Sequence, residues 1–274
     1  EKLLTKVDIA VNNAKTSNNH ICIYEESKNI EERYKENIEL ATQIKEAILG
    51  NRIICHYQPL LNIENSEIYS YESLVRLIDN KGNSLAPYKF LDFSKKIKLY
   101  SSITKIVVTQ ACKTFQNRDE NFSINLSVDD IKDLETVDFI LKTIKETNTS
   151  RRVTFEILES EGIENYQEVI SFINQIKSLG ARIAIDDFGT GYSNFEHLLR
   201  LDVDYIKIDG SLIKNIVTDD KHRLIVETIV SFARRIGIKT VAEFVSDEKI
   251  LQTIKEIGIS CAQGYHIGKP ETLV

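Results

Sequence analysis

The chain has 274 residues, 42% of them apolar, which is enough to fill a sizeable core in one large domain or two small ones. A formal net charge of -6 argues against a broad surface for polymeric nucleic acid, while leaving room for a small phosphate-bearing ligand held through metal ions. No run approaches the roughly 18 consecutive apolar residues of a membrane span, and the N-terminus lacks a charged-then-apolar signal layout, so a soluble, cytoplasmic chain is expected. It begins at Glu1 and contains no Met, which reads as a fragment of a longer protein that could itself be membrane-anchored.

In chain order, residues from about Lys2 to Lys15 carry Val7, Ala10 and Ala14 at helical spacing, and a short strand, His20 to Tyr24, follows the turn at Ser17 to Asn19. Two elements cannot enclose a core, so residues 1–27 are expected to be the tail of a domain cut away. A second helix is signalled from Asn29, with Glu32 three residues on. Ile30, Tyr34, Ile38, Ala41, Ile44 and Ile48 then recur every three or four residues up to Gly50. Residues 28–50 therefore read as a linker helix with one packed face, open to use in dimer formation or signal transmission.

From Arg52 onward short apolar strands alternate with amphipathic helices, the pattern of a parallel α/β architecture. The strand candidates are Ile53 to Tyr57, Ile68 to Leu74, Phe122 to Leu126, Val153 to Leu158, Ile183 to Asp187, Tyr205 to Ile208, Thr240 to Phe244 and Ala262 to Ile267. Helices are expected over Ile103 to Phe115, Val137 to Glu146, Tyr166 to Leu179 and Arg223 to Ile236, the last two stopping at Gly180 and Gly237. Eight strands in about 220 residues match a (β/α)8 barrel in number and size. An open doubly wound sheet would call for a G-x-G-x-x-G turn after its first strand, which is missing. Cys22, Cys55, Cys112 and Cys261 form no C-x-x-C pair and read as reduced structural thiols; the five histidines show no paired ligand spacing.

Polar residues interrupt these apolar strands: Gln58, Glu72, Asn125, Glu156, Asp186 with Asp187, Lys207, Glu243 and Gln263. In a barrel the C-terminal strand ends converge on one mouth, where catalytic groups gather. Singly each residue reads as a solvated rim position, and Asn125 could cap the next segment with Ser127 and Asp129. Together they form a constellation. Side chains alternate faces along a strand, so at least one of Asp186 and Asp187 points where the apolar run points. Carboxylates crowded in one mouth, with Lys207 and Arg76 as nearby cations, repel by about 4 kcal/mol per pair some 4 Å apart at an effective dielectric near 20. Divalent metal removes that cost. An all-oxygen set suits hard Mg²⁺ or Mn²⁺ better than zinc, and the Asp pair could help hold two ions, the arrangement that activates water against a phosphodiester.

These residues lie in YESLVR at Tyr71 to Arg76, INLS at Ile124 to Ser127, FEILES at Phe155 to Ser160, DDFGTGYSN at Asp186 to Asn194, YIKID at Tyr205 to Asp209, AEFV at Ala242 to Val245 and QGY at Gln263 to Tyr265. With these motifs in this order, the chain resembles EAL-domain cyclic di-GMP phosphodiesterases from about Asn51 to Leu273. The resemblance implies a modified TIM (β/α)8 barrel over residues 51–274 that hydrolyses cyclic di-GMP to linear pGpG with two Mg²⁺ or Mn²⁺ ions in bacterial second-messenger signalling. It makes Glu72, Asn125, Glu156 and Asp186 ligands of one ion, and Asp186, Asp187 and Glu243 ligands of the second. Lys207 resembles the family lysine that orients or helps deprotonate the attacking water. Gln58, Glu72, Leu74, Arg76 and Gln263 fall at substrate-contacting positions, and Glu159 at the glutamate that steadies the loop after Asp187, a loop linked to homodimer formation. Residues 1–27 are similar to the C-terminal remnant of a GGDEF domain, so upstream GGDEF and sensory domains are expected in the full-length protein. The alternative within the family is a catalytically silent receptor that binds cyclic di-GMP or a protein partner.

The chain departs from the family pattern at three places. Ser73 stands where Ala is usual, a small-for-small change beside Glu72. Phe244 and Ser246 replace the Gly and Glu of A-E-G-V-E-T and are expected behind the ligand Glu243, where they would alter its surroundings. Asn194 replaces a Ser common in the loop.

Overall fold

The computed structural model describes residues 28–158, 166–189 and 195–273. Helix α1 (Lys28–Leu49) occupies the expected linker position, and its C-terminal half turns inward: Ile44 and Ala47 are fully buried in the main core, whereas Ile38 and Leu49 are exposed. Next come strands β1 (Ile53–Asn62) and β2 (Glu67–Ile78), with the two-residue β3 (Ser84–Leu85) attached to the outer end of β2. Helices α2 (Leu91–Lys96) and α3 (Tyr100–Phe115) lead to β4 (Asn121–Leu126). Then follow α4 (Val128–Lys132), α5 (Leu134–Glu146), β5 (Val153–Leu158), α6 (Tyr166–Ser178) and β6 (Arg182–Phe188). The remaining elements are α7 (Phe195–Arg200), β7 (Tyr205–Ile208), α8 (Gly210–Ile213), α9 (Asp220–Arg235), β8 (Lys239–Ala242), α10 (Glu248–Ile257) and β9 (Cys261–Gln263).

The strand order β1-β9-β8-β7-β6-β5-β4-β2, closed by pairing of β1 with β2, makes an eight-stranded barrel ringed by helices. The eight-strand expectation holds, and Gly180 and Gly237 end their helices at φ 83 and 77 as helix stops do. An all-parallel barrel does not hold. β1 runs antiparallel to both β2 and β9. Only residues 63–66 join β1 to β2, too few for the crossover of a dozen or more residues that a parallel pair needs. Both strands also run past the expected ends, because a hairpin pairs them from Ile53 opposite Leu77 to Asn62 opposite Glu67, with one register shift between Leu60 and Leu61. β8 and β9 are shorter than expected, stopping at Ala242 and Gln263.

The large core lies between barrel and helices. There Phe115 of α3 stacks on Phe122 of β4 at 4.6 Å between ring centres, while Tyr57 meets Phe115 edge-on at 5.3 Å. Inside the barrel a second, smaller cluster of Ala184, Tyr205, Val241 and Cys261, with Leu60 and Tyr69 against it, forms a plug. Two residues further along the chain stand Asp186, Lys207 and Gln263, still on their strands, and Glu243, immediately after β8. With a side-chain period of two, whatever follows the plug by two positions also faces the interior, one layer nearer the mouth. Cys55, Cys112 and Cys261 are buried free thiols. Among the described residues no helix is long and apolar enough to cross a membrane. The expected terminal helix and strand within residues 1–27 lie outside the described residues.

Candidate active site

The layer above the plug is polar and almost entirely buried: Glu72, Glu156, Asp186, Lys207, Glu243 and Gln263 are each less than 9% exposed. Lys207 stands at its centre. Its Nζ lies 2.6 Å from Glu156 Oε2, 2.9 Å from Glu243 Oε1, 3.0 Å from Asp186 Oδ1 and 3.4 Å from Glu72 Oε2. Burial opposes the ammonium charge, but the surrounding Asp186, Glu156, Glu243 and Glu72 outweigh it and hold Lys207 well above the ordinary lysine range.

The carboxylates respond unequally to the same surroundings. Burial would raise Glu72, yet Lys207 and the amides of Asn125 and Gln263 bring it below the usual range. Asn125 Nδ2 and Gln263 Nε2 donate to its two oxygens at 2.7 Å each. Among the described residues no such amide donates to Glu156, and burial together with the charges of Glu72 and Asp186 pushes it up to about 8 despite Lys207. Burial likewise raises Glu243 well above its ordinary value. One ammonium thus faces four carboxylates, a deficit of positive charge in a buried place.

Asp187 reaches the same mouth by breaking the strand. Pairing of β6 with β7 skips from Ile185 to Phe188, and Asp187 sits in the left-handed region at φ 55. Regular alternation would have turned it away from Asp186; the bulge brings both carboxylates together. Asp187 is half-buried, and burial, Asp186 and Asp209 push it up to about 6. Asp209, which also caps α8 through the Ser211 amide, hydrogen-bonds the Asp187 carboxyl. Sequence reasoning did not single out Asp209, although it lies in YIKID two residues beyond Lys207.

Two carboxylate groups result, Glu72 with Glu156 and Asp186, and Asp186 with Asp187 and Glu243, and in each the oxygens lie within 4.8 Å of one another. Asp186 belongs to both. The donor set is oxygen throughout, carries excess negative charge, and contains no His or Cys, so these residues fit a pair of hard divalent cations. Asn125 is beside the first group, bonded to Glu72. The cap of α4 is made without Asn125, by Ser127 and Asp130 in a reciprocal capping box.

Beside this layer opens a cavity of about 440 Å³ lined by Gln58, Glu72, Leu74, Arg76, Gln263 and the aromatic pair Phe244 and Tyr265. Gln58 comes to it from the middle of the reversed β1, not from a strand end, and its Nε2 donates to the Gly268 carbonyl at 3.1 Å. Arg76 is partly buried and its Nη1 donates to the Val75 carbonyl at 2.9 Å. Two expectations change here. Phe244 does not lie behind Glu243: it is 55% exposed at the mouth. Lys207 and Arg76 are joined by a third cation, Lys214, which lines the cavity from the end of α8 and which strand-based reasoning passed over. Ser246 also lines this cavity, its Oγ bonded to Asp247 Oδ2 at 3.0 Å. Glu159 and residues 190–194 of the loop after Asp187 lie outside the described residues.

Comparison with known proteins agrees with this arrangement. Residues 41–270 match the EAL domain. Over its whole length the chain is 36% identical to cyclic di-GMP phosphodiesterase PdeB of Shewanella oneidensis, covering 33% of that protein. It is 32% identical over 85% of its length to the probable cyclic di-GMP phosphodiesterase PdeA of Escherichia coli K12, covering 32% of it. The chain therefore spans about a third of the length of these curated relatives. Among solved structures, the PaMucR phosphodiesterase in complex with c-di-GMP superposes with a TM-score of 0.80 at 27% identity, over 85% of this chain and 97% of that one. With the barrel, the motifs and the family match in agreement, the chain belongs to the EAL domain family.

Proposed function

We propose that this chain is a metal-dependent phosphodiesterase that hydrolyses cyclic di-GMP to linear pGpG. The observation that carries the reading is the pair of buried carboxylate groups sharing Asp186 around Lys207, directly beside a cavity with Arg76 at its wall. Mg²⁺ or Mn²⁺ held by Glu72, Asn125, Glu156 and Asp186, and by Asp186, Asp187 and Glu243, would supply Lewis acidity toward a phosphodiester and a more acidic bound water. Lys207 orients the attacking water and stabilises its deprotonated form by its charge. Asp187, pushed up to about 6 by burial and its acidic neighbours in the metal-free fold, would give up that proton on taking up the second ion. Gln58, Leu74, Arg76 and Gln263 hold the dinucleotide, with Arg76 toward phosphate. Relatives named cyclic di-GMP phosphodiesterases support this substrate.

The division into a GGDEF remnant (1–27), a linker helix (28–50) and the EAL domain (51–274) belongs to the same reading, as do Glu159 steadying the loop after Asp187 and a homodimer through that loop. Incubating the purified chain with cyclic di-GMP and Mg²⁺ or Mn²⁺, and resolving products by chromatography, tests the activity: pGpG is expected. Tight binding without turnover would instead make the chain a silent receptor, and sedimentation at high concentration tests the dimer.

A further inference from the structure

Phe244 carries several observations that the hydrolytic layer does not use. At φ 54 it is a bulky residue in the left-handed region, a conformation that persists only where the surroundings impose it and that gathers at ligand clamps. Its ring lies over Gly210, where an added Cβ would come within 2.2 Å of the ring carbon Cδ2. The ammonium of Lys214 stands 4.2 Å from the ring centre, well inside cation–π range. So held, the ring remains 55% exposed and borders two cavities, one of about 440 Å³ and one of about 580 Å³, which meet at Glu72 and Leu74. A fixed aromatic face beside phosphate-seeking cations matches a planar base attached to a phosphodiester better than an aliphatic or peptide group.

We propose that Phe244 is a specificity-determining residue, a platform on which one nucleobase of the dinucleotide stacks at the junction of the two cavities, with Lys214 fixing the ring. The proposal rests on the phosphodiesterase reading above. It assigns to Phe244 a contact that a glycine at this position could not make.

Steady-state kinetics with cyclic di-GMP in Mg²⁺ tests it on wild type, Phe244→Leu and Phe244→Trp. Phe244→Leu is expected to raise KM about tenfold, the loss falling on KM rather than kcat, and Phe244→Trp to restore the wild-type KM. The Mn²⁺ activation midpoint should stay in place in both variants, since the ring acts on the base and not through Glu243. An unchanged KM in Phe244→Leu, or a loss that appears as weakened Mn²⁺ activation, would overturn the proposal. If wild type shows no turnover, the phosphodiesterase reading fails, and calorimetric titration with cyclic di-GMP in the same buffer decides the platform separately: weaker binding by Phe244→Leu upholds it, and equal binding or none removes it.

Discussion

Lys207 Nζ and Glu156 Oε2 stand 2.6 Å apart, the shortest of four ion pairs that one buried ammonium makes at the centre of the barrel mouth. Burial and the neighbouring Glu72 and Asp186 nonetheless outweigh that one contact and push Glu156 up to about 8. Lys207 is therefore the internal countercharge of the metal-free fold, besides the role toward water proposed for it above.

Removing it separates the two roles. Lys207→Ala leaves carboxylates buried without their countercharge, which costs on the order of 3–5 kcal/mol. In EDTA the variant should melt well below wild type, and millimolar Mg²⁺ should recover much of the difference while turnover stays down by roughly 10²–10⁴-fold. Thermal melts with and without Mg²⁺, beside a product assay, check this. Equal melting in EDTA would mean that the lysine does not balance the cluster.

The raised carboxylates also set a pH dependence. Glu156, ordinarily near 4.5, is held at about 8, and Asp187, ordinarily near 3.8, at about 6, so the metal-free fold binds more protons than the unfolded chain between these values. Stability without metal should be full at the acid side of the window and fall as pH rises from about 4 through 8. Divalent cations need the deprotonated groups, so binding releases protons and apparent Mn²⁺ affinity should strengthen as pH rises toward 8, by up to about tenfold per pH unit per proton released. Calorimetry in buffers of different ionisation enthalpy counts those protons. Affinity that stays flat from pH 6 to 8 would contradict the cluster's charge balance.

Below the mouth the barrel is held by a separate polar contact. The hydroxyls of Tyr69 and Tyr205 are 2.7 Å apart, and Arg182 Nη1 donates to Tyr69 at 3.2 Å. Tyr205→Phe should cost about 1 kcal/mol, seen in urea unfolding, with turnover unchanged because the bond belongs to the plug layer and not to the polar layer above it. A fall in kcat would show that the plug and the mouth are coupled.

How much of this was legible in the sequence depends on what each residue's neighbours in the chain can say. Ala184 to Asp186, Tyr205 to Lys207 and Val241 to Glu243 repeat one rule, a plug residue followed two positions later by a mouth residue, and strand periodicity exposes that rule directly. The reversal of β1 was not legible from a five-residue apolar run at Ile53 to Tyr57, since direction is set by the length of the turn at 63–66. The motif names Asp187 as a ligand beside Asp186, but the backbone that turns it there, and the place of Phe244, were not legible. Both have left-handed backbones, at φ 55 and 54, so alternation misplaces them by a face. Lys214 sits on no strand at all; it reaches the mouth because α8 begins immediately after Asp209 and ends beside the ring of Phe244.

That last contact can be tested from the other side. Gly210 faces Phe244 so closely that an added Cβ would lie 2.2 Å from Cδ2 and 2.8 Å from Cβ of Phe244. The clash includes the phenylalanine's own Cβ, so rotating the ring alone cannot relieve it. Gly210→Ala should therefore destabilise by about 1–3 kcal/mol and shift the ring from its seat, raising KM for cyclic di-GMP as Phe244→Leu does. In the double variant Gly210→Ala with Phe244→Gly the new methyl has room, and glycine suits φ 54 without strain. Stability should then return toward wild type while KM stays high, giving strong non-additivity in a double-mutant cycle on melting and none of the rescue in KM. Additive destabilisation would mean that Gly210 is conserving space for something other than the ring, and recovery of KM in the double variant would mean that the ring's position never governed binding.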